Sequence, residues 1–184
     1  MSEDFSRLVS LACHDLRTPL ATIQGFAKTL IRQDVGEPTA RYLGIIDTAG
    51  DELVQLLDLL SIAARIEGGR YEPVVRPVDS LELAQSGVPG ATGKGSSVEV
   101  DVEPVARALA SLARAASRHG GVEVSTSVAG REVSISPIVE DAGPIVLGDD
   151  PRDLGAAVAV RIVRALGGEV ALDGDRLVVT LPSG

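Results

Sequence analysis

Residues 13–20 read Cys13-His14-Asp15-Leu16-Arg17-Thr18-Pro19-Leu20 and lie inside a long apolar-periodic stretch from Phe5 to about Ile31. Apolar positions recur in steps of three and four at Phe5, Leu8, Ala12, Leu16, Pro19, Ile23, Phe26 and Leu30, which predicts a helix with one buried stripe. His14 stands two residues from both Ala12 and Leu16, about 200° round such a helix from each, so the pattern turns its imidazole away from the stripe and into solvent. Thr18 follows one turn later on the same face, and Asp15 is adjacent, close enough to orient or polarise the ring. Pro19 removes a backbone hydrogen bond and should bend the helix just after the histidine.

The run HDLRTPL, with the Gly25-Phe26 region after it, resembles the phosphoacceptor box of sensor histidine kinases: His, Asp or Glu, any residue, Arg or Lys, Thr or Asn, Pro, Leu. Every position is matched. The resemblance implies that His14 carries a phosphoryl group, that Asp15 helps it attack, and that Asp15 with Thr18 supports the reverse, hydrolytic reaction on a partner. That partner is a response-regulator receiver domain, docking on the outward face of the helix. Arg7, Ser10, Leu11, Arg17, Thr18 and Gly25 are the candidates for that face, and Arg17 also suits the steadying of phosphate charge.

Composition narrows the alternatives. A net charge of -9 argues against nucleic acid and anionic membrane surfaces as partners, and favours a protein. There is no apolar run of about 18 residues and no signal-peptide pattern, so the chain is expected to be cytoplasmic and not to span a membrane. A single cysteine, Cys13, excludes an intramolecular disulfide and a cysteine-rich zinc site, and reads as a small residue packed on the helix.

Ser2-Glu3-Asp4 offers a cap to the first helix, and Asp34-Val35-Gly36-Glu37 a short connection before Pro38 opens a second. The second helix, from about Thr39 to Glu67, carries Leu43, Ile46, Gly50, Leu53, Leu57, Leu60 and Ala64 at heptad spacing, widened by Ile45, Ala49, Leu56 and Ile62. One antiparallel hairpin cannot bury so broad a face, which predicts a homodimeric four-helix bundle. The domain plan is therefore a dimerisation and phosphoacceptor domain over 1–69, an extended linker over 70–79 and a second domain over 80–184.

In that second domain, residues 81–85 suggest a short helix and 86–97 a loop. A strand follows over 98–102, then a helix from Pro104 to about Arg118, a hairpin around Ala129-Gly130-Arg131, an irregular stretch over 140–152, a helix over 154–166 and a last hairpin through Asp173-Gly174-Asp175. The fold class is α+β: a helical hairpin, then a two-layer α/β sandwich with helices on one side of a mainly antiparallel sheet. The sandwich resembles the ATPase domain of histidine kinases with its site degraded. The family's magnesium-binding asparagine is Ala115 here, which offers no oxygen to a hard cation. The Asp-any-Gly-any-Gly loop survives only as Asp141-Ala142-Gly143. The stretch before Asp153 is too short for a nucleotide lid, and the glycine opening the last helix is replaced by Asp153, with Gly155 after it. A carboxylate there caps the helix itself and repels an anion.

The function expected is histidine phosphotransfer between response regulators through His14, without ATP and without a metal or cofactor of the chain's own. The receiver domain supplies magnesium. Two alternatives remain, an ATP-dependent kinase core with a divergent site and a non-catalytic dimeric scaffold. His119, beside Gly120-Gly121, is assigned to the dipole of its helix, and the carboxylates of Asp149, Asp150 and Asp153 to solvent.

Overall fold

The computed structural model describes residues 3–33, 36–150 and 152–183, and for residues 3–5, 7, 8, 10 and 11 the backbone only. The proposed cap at Ser2-Glu3-Asp4 and the connection at Asp34-Val35 lie outside the described groups. The chain divides into two compact units, Met1–Gly69 and Arg70–Gly184.

The first unit is a hairpin of α1 (Glu3–Ile31) packed on α2 (Thr39–Glu67), and α1 runs through Pro19 without ending there. The seam between them differs from the stripe read in the sequence. Among the described side chains of α1 the buried ones are Ser6, Cys13, Leu20 and Ala27, seven residues apart each time, and those of α2 are Leu43, Gly50, Leu59, Ala63 and Ala64. Leu16, Ile23, Phe26 and Leu30 of the expected stripe are exposed, Leu16 and Ile23 at 53% and Phe26 at 68%, and the side chains of Phe5 and Leu8 are outside the described groups. On an ideal helix the two stripes lie about 90° apart.

The physical reason is polar. Arg17 pairs with Asp58, Gln24 with Asp51 and Lys28 with Asp47, at 2.7, 2.7 and 3.4 Å. Seven residues forward on α1 is seven back on α2, and four forward is four back, so the three pairs form an antiparallel ladder in one register. Small side chains between the rungs let the helices approach. A Cβ at Gly50 would lie 2.7 Å from Gln24 Cγ.

The second unit contains β1 (Val75–Asp79), α3 (Ser80–Gly87), β2 (Thr92–Gly95), β3 (Ser97–Asp101), α4 (Val102–Gly120), β4 (Ser125–Gly130) and β5 (Glu132–Ser136). A 3-10 turn (Glu140–Ala142), α5 (Gly143–Val146), α6 (Leu154–Ala165), β6 (Glu169–Asp173) and β7 (Arg176–Thr180) complete it. The main sheet has the order β2-β4-β5-β7-β6, antiparallel except that β2 runs parallel to β4. Alternation places Val128, Val133, Ile135, Leu177 and Val179 inward, in one core with Leu83 of α3, Leu109 and Leu112 of α4, and Ala159 and Val163 of α6. Ser125, Ser127 and Ala129 stay on the outer face, which gives the two-layer sandwich its single core.

Three expectations are corrected. The stretch 70–79 is not wholly a linker, because β1 pairs with β3 in a separate two-stranded sheet, Val75 opposite Asp101 and Asp79 opposite Ser97. The loop read over 86–97 contains β2. The irregular stretch over 140–152 contains α5, whose Ile145 and Val146 are fully buried. Thr92-Gly93-Lys94-Gly95 has no apolar alternation to announce a strand. Its glycine is required instead, because Gly93 has φ of +126° and a Cβ there would lie 2.1 Å from the carbonyl oxygen of Val128. Gly93→Ala is expected to destabilise the second unit by on the order of 2–3 kcal/mol, read as a lowered midpoint in chemical denaturation.

Candidate functional site

The helical phase that buries Cys13 turns the next residue outward. His14 and Asp15 are 77% and 67% exposed, and His14 Nδ1 lies 3.1 Å from Asp15 Oδ1. The tautomer protonated on Nδ1 donates to this carboxylate and carries its lone pair on Nε2. Thr18 and Gly25, expected on the same face, are exposed as well. Thr22 Oγ1 donates to the Thr18 carbonyl oxygen and Thr29 Oγ1 to that of Gly25, so these hydroxyls are turned back on their own helix. The side chains of Arg7, Ser10 and Leu11 lie outside the described groups.

Arg17 departs from the reading that put it on the open docking face. It is half-buried, and its Nε and Nη2 both donate to Asp58 Oδ1, at 3.2 and 2.7 Å. Cys13 is buried next to this pair. Burial pushes its thiol pKa up, Asp58 adds to the rise and Arg17 opposes it. A buried, mainly protonated thiol is a packing group rather than a nucleophile.

The second unit holds the positions at which the resemblance puts nucleotide contacts. Ala115 of α4 is buried and presents a methyl group. Asp141 is exposed on the 3-10 turn, while Gly143 begins α5 and lies under Leu172, which a Cβ would approach to 3.1 Å. Helix α5 packs against both α4 and α6, where the lid was expected to be missing.

Gly155 is buried in the first turn of α6, and Asp153 caps that helix. Its Oδ1 accepts from the Ala156 N–H at 2.9 Å. Its Oδ2 faces His119 Nε2 at 3.1 Å and Arg118 Nη1 at 3.5 Å, both at the end of α4. An 8%-exposed carboxylate thus stands where a helix N-terminus and two basic side chains converge.

Two residues were missed in the sequence. Asp58 carried no signal because its partner is 41 positions away, although an acidic side chain inside an apolar helix is itself a clue to a buried pairing. His119 was assigned to its helix dipole and is instead paired across to Asp153. Asp150 is held by Arg152 at 2.7 Å, and no group of three or more metal-ligating side chains occurs among the described residues. No helix among them is long and apolar enough to cross a membrane.

The family match falls in the first unit. Residues 6–69 match the His Kinase A (phospho-acceptor) domain. The chain is 35% identical over 74 residues to the circadian input-output histidine kinase CikA of Synechococcus elongatus, a match covering 39% of this chain and 10% of that protein. It is 29% identical over 79 residues to the sensor protein kinase PmrB of Pseudomonas aeruginosa, covering 43% and 17% respectively. The matches therefore span only a small part of these relatives' length. The crystal structure of full-length ShkA in complex with AMPPNP has a similar fold, with a TM-score of 0.60 at 20% identity, covering 96% of this chain and 45% of that one.

Asp153→Ala is expected to cost about 2 kcal/mol by removing a helix cap and leaving Arg118 and His119 without their carboxylate. Asp153→Asn, which keeps an oxygen for the cap, should lose about half as much, both read by urea denaturation.

Proposed function

We propose, for a chain whose residues 6–69 belong to the phosphoacceptor-domain family of two-component sensor histidine kinases, that it is a dimeric histidine phosphotransfer protein acting in the cytoplasm. It exchanges phosphoryl groups with response-regulator receiver domains through His14 and does not use ATP. The geometry at His14 supports the chemistry. The Nε2 lone pair attacks the phosphorus of an aspartyl phosphate on the receiver. An N–P bond forms, the P–O bond to the aspartyl group breaks, and the aspartate carboxylate leaves with the bonding electrons. The ring becomes cationic, and its Nδ1 proton is shared with the Asp15 carboxylate, which stabilises that charge. Asp15 with Thr18 is assigned to the reverse, hydrolytic reaction, and magnesium for transfer belongs to the receiver's acidic site.

The observation that carries the ATP-independent reading is Asp153. Its carboxylate uses the N–H group and basic side chains that an incoming phosphate would need, and a nucleotide would have to displace it against charge repulsion. The competing reading, an ATP-dependent kinase core, is supported by the likeness of fold to ShkA, which was crystallised with AMPPNP.

The exposed apolar residues support the dimer. Leu16, Ile23, Phe26 and Leu30 on α1, with Tyr42, Ile45, Ile46 and Leu53 on α2, are all at least 40% exposed in the single chain. Apolar surface of this extent, in a helical hairpin of this family, is covered by a second copy in a four-helix bundle.

Two donors offered in parallel, magnesium-ATP and a phosphorylated receiver domain, test the reading. Labelling by the receiver alone, lost in His14→Ala, is the expected result, and Asp15→Asn should slow transfer by on the order of 100-fold. Labelling by ATP that is lost in His14→Ala makes the protein a kinase, and labelling by neither makes it a scaffold. Ile23→Lys should convert the dimer to monomer in sedimentation equilibrium; an unchanged mass would remove the bundle from the proposal.

A further inference from the structure

Arg17 begins on α1 one turn from His14, and residues three apart on a helix are neighbours. Its head is nonetheless held on the other helix, with two guanidinium donors engaged by one oxygen of Asp58. The pair borders the buried seam at Cys13, and its side chains are 38% and 20% exposed, so part of its attraction is spared the screening of bulk water. A phosphoryl group on His14 Nε2 brings nearly two negative charges and three acceptor oxygens to the same turn, a strong competitor for a guanidinium. Arg17 therefore stands between two anions that compete for one guanidinium, Asp58 and a phosphoryl group on His14.

We propose that Asp58 is a positioning residue for phosphotransfer: it holds Arg17 off His14 in the unphosphorylated hairpin and yields it to the phosphoryl oxygens once the N–P bond has formed. This rests on the reading of His14 as the phosphoacceptor. Separating Arg17 from Asp58 subtracts from the stability of the phosphohistidine. The ion pair thus keeps the group transferable instead of trapping it on His14.

The test uses the full chain, phosphorylated in parallel by a phosphorylated receiver domain and by phosphoramidate, a small donor that needs no docking. The equilibrium fraction of phosphohistidine against receiver phosphate, the phosphohistidine half-life and the melting temperature are measured together. Asp58→Asn should move the equilibrium toward His14 by about fivefold and lengthen the half-life, as loss of a part-exposed ion pair allows. Asp58→Glu should stay near the wild type, and the shift should vanish when Arg17→Gln is added. If Asp58→Asn does not fold, Asp58→Gln takes its place. A lowered melting temperature with an unmoved equilibrium, or a shift that survives Arg17→Gln, overturns the positioning role while leaving His14 as acceptor. Failure of both donors to label the wild type overturns the acceptor reading and this inference with it.

Discussion

The polar ladder along the hairpin decides what the rest of α1 can do. Arg17 with Asp58, Gln24 with Asp51 and Lys28 with Asp47 fix both the register and the rotation of the two helices, because sliding or turning either one breaks all three contacts. With rotation fixed, the circumference of α1 has three sectors. Ser6, Cys13, Leu20 and Ala27 at heptad spacing are buried on one, Leu16, Ile23, Phe26 and Leu30 stay exposed on a second, and His14, Thr18 and Gly25 occupy the third. Individual surface ion pairs contribute little stability, about 1 kcal/mol or less. Their importance here is specificity: they select one of several ways in which two apolar helices pack, and the selected one keeps the histidine outward.

The second unit separates a frame from a site. Its frame is the continuous core shared by α3, α4, α6 and the inner face of the five-stranded sheet, and that core is complete without any ligand. At the N-terminus of α6, Asp153 supplies an intramolecular anion. It satisfies the first turn of α6 and the basic end of α4 at once.

Much of this was legible in the residues. The two hairpins and the capping role of Asp153 are local, so short-range patterns disclose them. The seam on α1 was not legible from apolar periodicity, since the larger apolar side chains outweigh Ser6, Cys13 and Ala27 in any such reading while the packing prefers the small ones. Nor were Asp58 and His119, whose partners are distant in sequence. Strand β2 escaped because a glycine-rich edge strand is specified by the approach of its neighbour's backbone, and α5 because a single helical turn of Gly-Pro-Ile-Val has no period to detect.

The parallel pairing of β2 with β4 also bears on the order of events in folding. Every other contact within the main sheet is antiparallel, and β4 with β5 and β6 with β7 close as hairpins across turns of a few residues. Thr92 meets Ser127 only after β3 and the whole of α4 have been threaded between them. Loop-closure entropy makes such a contact late, and an edge position with two glycines gives it little side-chain packing in return. In the native state β2 is therefore the strand expected to open first, which makes this margin of the sheet the natural place for hydrogen exchange to begin.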